Sequence, residues 1–90
     1  MKVFRGTPSQ QASKLGIWDV LADDTDEARD IARNFYVSVK FPGMNLPRDA
    51  WEKHDVFAWK ELADDQHKYS DDDLEGEARI LRAPVSKISD

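Results

Sequence analysis

Glycine and proline, four of each, cut this chain into pieces that hold only small elements. Proline cannot continue a helix or donate to a sheet, and glycine marks reversals. Met1–Arg5 reads as a short strand with Val3 and Phe4 as its apolar content, and Gly6 ends it. Thr7 then stands as a helix cap, with Pro8 at the first helical position and Gln10 able to reach back to the capping N–H. A short helix to about Leu15 follows, closed by Gly16 in the left-handed conformation. Ile17–Leu21, β-branched and aromatic, is a strand. Ninety residues without a cysteine have no disulfide to lean on, so one hydrophobic core must carry the fold. A single domain over 1–90 is expected.

The clearest helix signal lies at Asp24-Thr25-Asp26-Glu27, an acidic cap with Glu27 three positions on, followed by Ala28, Ile31, Ala32 and Phe35 at helical spacing. From Phe35 the period changes to two. Phe35, Val37, Val39 and Phe41 alternate with Tyr36, Ser38 and Lys40, which predicts a strand ended by Pro42-Gly43. Asn45–Asp65 fits either a helix opened by Pro47 or a strand through Val56–Trp59. Ser70-Asp71-Asp72-Asp73 is a further cap, over one or two helical turns that Gly76 would end, and Glu77–Ala83 is a strand stopped by Pro84. The fold class expected is α+β: one sheet of three to four short strands with two to three packed helices.

Two heptads share one pattern. Trp18-Asp19-Val20-Leu21-Ala22-Asp23-Asp24 and Trp59-Lys60-Glu61-Leu62-Ala63-Asp64-Asp65 both read Trp-x-x-Leu-Ala-Asp-Asp, 41 residues apart. The same offset lays Phe35–Phe41 onto Gly76–Arg82, both expected strands. The readings are a duplication into two similar half-units, or coincidence between two apolar segments that each precede an aspartate cap.

Charge is the strongest functional signal. The formal net charge is −5, yet residues 61–77 alone hold eight carboxylates against one lysine. An acidic surface repels nucleic-acid phosphates, so no direct nucleic acid is expected, whereas a Lys/Arg-rich protein partner is favoured. Asp64, Asp65, Asp71, Asp72, Asp73, Glu75 and Glu77 are the candidate docking residues, helped by Asp23, Asp24, Asp26 and Glu27. A solvated loop that merely keeps a small protein soluble is the competing reading. Of the three tryptophans, Trp18 and Trp59 have apolar neighbours and read as core, while Trp51, in a polar stretch, is the candidate interface aromatic. The absence of cysteine fits a cytoplasmic protein, the apolar runs are too short for a membrane helix, and an exposed sheet edge would allow a homodimer.

Catalytic signatures are sparse. There is no Gly-x-Ser-x-Gly turn, no glycine-rich phosphate loop and no His-x-x-x-His pair, with His54 and His67 thirteen apart. No catalytic residue, metal or cofactor is therefore assigned. Arg5-Gly6-Thr7 after a first strand and Glu75-Gly76-Glu77 before a late one resemble the arginine and Glu-x-Glu elements of ADP-ribosyltransferases, over six residues. Trp18-Asp19-Val20 stands where that family has Ser-Thr-Ser. The resemblance implies a small enzyme or enzyme remnant in which Arg5 would hold a nicotinamide dinucleotide and Glu77 would orient its ribose. The leading expectation is a non-catalytic adaptor, inhibitor or nucleic-acid mimic that docks a basic protein.

Overall fold

A computed structural model describes residues 1–40, 43 and 57–84. Four strands, β1 (Lys2–Pro8), β2 (Trp18–Ala22), β3 (Phe57–Leu62) and β4 (Arg79–Arg82), form one antiparallel sheet in the order β3-β1-β2-β4. One α-helix, α1 (Thr25–Lys40), packs on it, and 3-10 turns occupy Gln10–Leu15 and Asp64–Gln66. This is the expected α+β mixture, with one α-helix among the described residues rather than two or three. None of the described helices is long and apolar enough to cross a membrane.

β1 is longer than its sequence suggests. Gly6 does not break it: Gly6 pairs with Trp18 on one side and Trp59 on the other, and Thr7 and Pro8 pair with Ala58 and Phe57. Glycine is required there because a Cβ would lie 2.8 Å from the Trp59 ring. With Thr7 and Pro8 spent in the strand, the expected helix shrinks to a kinked 3-10 segment after Ser9, which Gly16 closes at φ 74° by donating to the Ser13 carbonyl.

α1 starts as its cap predicts. The Glu27 N–H donates to Asp24 Oδ1 at 2.8 Å, and Glu27 Oε1 accepts from the Asp23 N–H at 2.8 Å. Its end corrects the expectation, because residues 35–40 are helical and not a strand. Alternation at Phe35, Val37 and Val39 is real, but Phe35, Tyr36 and Val39 also continue the stripe of Ala28, Ile31 and Ala32 at helical spacing. These three pack against the cluster of Leu15, Trp18, Ala32 and Phe57. A helix already nucleated upstream, with no glycine or proline before residue 42, extends at little cost while it still buries apolar surface.

The inner sheet face, under α1, holds two adjoining clusters, one around Trp18 and one of Phe4, Val20, Ala22 and Ala28, bridged by Trp59 and Ile80. Trp18 meets Phe35 edge-on at 5.7 Å between ring centroids and Phe57 at 4.9 Å. Its Nε1 donates to the Leu15 carbonyl at 3.2 Å, so the fully buried indole leaves no polar atom unpaired. Trp18 and Trp59 are thus core residues, as expected; Trp51 lies outside the described residues, as does the Asn45–Val56 part of the ambiguous stretch. Of the Val56–Trp59 alternative, the described part, Phe57–Trp59, belongs to strand β3.

The repeated heptads flank β1 in matching register. Val3 faces Leu21 and Leu62, and Gly6 faces Trp18 and Trp59. The correspondence ends there: α1 follows the first copy, a three-residue 3-10 turn follows the second, and helical 35–40 has β4 as its counterpart. Among the described residues the two half-units are therefore not alike beyond one strand each.

Gly6→Ala should destabilise the protein by about 1–3 kcal/mol, because the added methyl must displace the Trp59 ring. Urea unfolding followed by tryptophan fluorescence measures it, and an unchanged midpoint would contradict the close approach.

Candidate functional site

The outer sheet face, away from α1, carries the chemistry. Strand alternation points Val3, Arg5 and Thr7 of β1, Asp19 and Leu21 of β2, and Lys60 and Leu62 of β3 outward. On β4, a bulge opposite Asp19/Val20 lets Ile80 join the inner core while Arg82 lies opposite Asp19. One cross-strand row results: Lys60, Arg5, Asp19, Arg82.

Asp19 is its anchor, with 1% of its surface exposed. Arg5 grips it in a fork, Nε to Oδ1 at 2.9 Å and Nη2 to Oδ2 at 3.2 Å, and the Tyr69 hydroxyl donates to Oδ2 at 2.6 Å. Burial alone would push the Asp19 carboxyl up. The bonds from Arg5 and Tyr69 and the charges of Arg5 and Arg82 outweigh it and hold Asp19 below the usual carboxylate range. Its hydrogen bond to Asp19 raises Arg5 against the opposing effect of burial. Tyr69 is pushed up to about 12, first by burial and then by its bond to the Asp19 carboxylate.

Tyr69 belongs to the acidic segment, so this bond ties that segment to the sheet. A second tie comes from Arg79, which pairs opposite Leu21 and whose guanidinium gathers three loop carbonyls: Glu75 at 2.7 Å, Glu77 at 2.9 Å, and Asp73. Inside the loop, the Ser70 N–H donates to Asp73 Oδ2 at 3.0 Å and the Asp73 N–H donates to Ser70 Oγ at 3.2 Å. The expected helix over 70–76 is thereby reduced to one turn, left at Gly76 with φ 94°. Val3 and Leu62, both buried, share a cleft of about 290 Å³ with His67 and Leu74. The loop therefore lies across the Val3–Leu21–Leu62 half of the outer face.

Asp64, Asp65, Asp71, Asp72, Asp73, Glu75 and Glu77 are all exposed. Asp73 serves the turn; the side chains of the other six take part in no hydrogen bond or ion pair among the described residues. The helper residues split. Asp24 and Glu27 cap α1, and Asp26 lies 3.5 Å from Arg29. Because β2 and β3 run parallel on either side of β1, the two heptads deliver Asp23-Asp24 and Asp64-Asp65 to the same end of the sheet, two strand spacings or about 10 Å apart. Arg5 is committed to Asp19, and no hydrogen bond or ion pair among the described residues joins it to Glu75 or Glu77. Asp19, Tyr69 and Arg79 are the residues that sequence reasoning did not single out. The available signal was a lone charge inside each of two apolar strands, Arg5 and Asp19.

Asp19→Ala should cost about 2–3 kcal/mol, less than for a fully buried pair because Arg5 keeps access to water. A denaturation midpoint equal to that of the parent would contradict the anchor. Tyr69→Phe should cost about 1–2 kcal/mol at neutral pH. Because the folded Tyr69 titrates at about 12 and an unfolded tyrosine near 10.0, its contribution is intact below pH 10 and is lost as pH rises through 12. Asp19, depressed in the folded state, works in the opposite direction, losing its contribution as pH falls below the ordinary aspartate range. The stability difference between parent and Tyr69→Phe should therefore vanish toward pH 12, and a difference that persists there would contradict the assignment.

No protein-family model, curated protein or solved structure matches this chain, and its functional reading follows from its own residues.

Proposed function

We propose that the protein is a non-catalytic binding protein whose acidic loop, residues 61–77, docks a positively charged protein surface. The observation that carries this reading is the way the loop is held. Arg79 binds its backbone carbonyls from the sheet side and Tyr69 ties it to Asp19, so Asp64, Asp65, Asp71, Asp72, Glu75 and Glu77 keep their carboxylates exposed and unneutralised. A loop needed only for solubility gains nothing from being fixed. A fixed array of like charges is repulsive in isolation, and opposite charge on a partner relieves that repulsion without a further ordering cost. Adaptor, inhibitor and nucleic-acid mimic are the roles that use such an array, and Asp23 at the neighbouring strand end widens it.

Binding of a synthetic peptide of alternating arginine and serine, followed by calorimetry over a salt series, tests the reading. The parent should bind with an affinity that falls steeply with salt. The variant Asp64→Asn/Asp65→Asn/Asp71→Asn/Asp72→Asn, which spares the structural Asp73, should bind at least tenfold more weakly and with a flatter salt slope. Equal affinity of parent and variant would overturn the proposal.

A further inference from the structure

The outer face is stepped. Its Val3–Leu21–Leu62 half is covered by the acidic loop, whereas among the described residues nothing covers the half beyond the Lys60–Arg5–Asp19–Arg82 row, where Thr7, Ala58 and Ile17 are exposed, Ile17 by 46%. The row spans four strands, about 14 Å, and holds three cations against one carboxylate. That carboxylate is already engaged by Arg5 and Tyr69. Lys60 and Arg82 are exposed and have no ion pair among the described residues. One face therefore carries a raised acidic half beside a recess edged by the cationic row, with an exposed isoleucine in the recess.

We infer that this stepped face binds a second copy of the same chain, the raised acidic loop of each copy seated in the cationic recess of the other. A two-fold axis along the step brings acid onto base twice and raised onto recessed twice, so the interface is isologous and closes as a dimer. The recess is built for this occupant on three counts. Its cations lie at a fixed register, since Arg5 is clamped by Asp19 and the bulge aims Arg82. Its floor is small-chained at Thr7 and Ala58, which pair across β1 and β3 and leave height for a loop. The complementary charges, Asp71 and Asp72 foremost, are present in every copy of the molecule at unit stoichiometry. The inference rests on the acidic-docking reading above, because it names that loop's partner.

Sedimentation of the full chain over a concentration series at low and high salt tests it. The parent should approach twice the chain mass at low salt and return to the single mass at high salt. Lys60→Glu/Arg82→Gln and Asp71→Lys/Asp72→Lys should each stay at the single mass while retaining the parent's circular dichroism. Mixed in equal amounts, they should regain the double mass, because the intact acidic loop of the first then meets the intact cationic recess of the second, while the lysine-bearing loop of the second meets the acidified recess of the first. A parent of single mass at all concentrations, a double mass that neither variant disturbs, or a mixture that stays monomeric would overturn the inference. Arginine–serine peptide binding on the same samples separates the two claims. A monomeric parent that binds the peptide removes only self-association, and a parent that binds neither removes both.

Discussion

A carboxylate withdrawn from water in the middle of a sheet is tolerated only when its oxygens are fully engaged, and Asp19 meets that condition through two residues far apart in the chain. Arg5, on the neighbouring strand, supplies a forked ion pair, and Tyr69, fifty residues on, supplies a hydroxyl. The first contact pins the register of β1 against β2, because a slip of one residue would move Arg5 to the inner face and leave Asp19 without its cation. The second fixes where the acidic loop crosses the sheet. One buried charge thus links strand pairing to the placement of the acidic segment.

The two sides of the sheet divide the work. Under α1, aromatic contacts among Trp18, Phe35, Phe57 and Trp59 supply apolar burial, with Gly6 opening the space that the Trp59 ring needs. On the far side Val3, Leu21 and Leu62 are buried beneath the loop, and the order of that layer comes from guanidinium groups: Arg5 on a carboxylate, Arg79 on three carbonyls. Arginine suits both tasks, since its planar fork of donors meets two acceptors at once and keeps its charge in a half-buried setting. Arg79 holds the loop by its backbone carbonyls without occupying any of the outward carboxylates.

How much of this was legible in the sequence depends on the range of the interactions. The Asp24–Glu27 cap and the Gly16 stop involve neighbours within four residues, and they are found where the sequence places them. The heptad repeat foretold a matched pair of strands, but not that they would flank β1 or that only one would lead into a long helix. Residues 35–40 misled because their apolar positions satisfy a period of two and a period of 3.6 at once, and only the core around Trp18 decides between them. The acidic segment was plain from composition. What orders it was not: Tyr69 and Arg79 look like ordinary loop and strand residues until the sheet brings Asp19 and Leu21 beside them.

The Asp19–Tyr69 bond holds the acidic loop in place on the sheet. Amide hydrogen exchange, read residue by residue by NMR in the parent and in Tyr69→Phe, tests it most directly. Protection should drop at Gln66, Leu74 and Glu75, whose N–H groups close the loop's turns, while the amides of β1 and β2 keep theirs. Uniform loss across sheet and loop alike, or no change at those three amides, would contradict it.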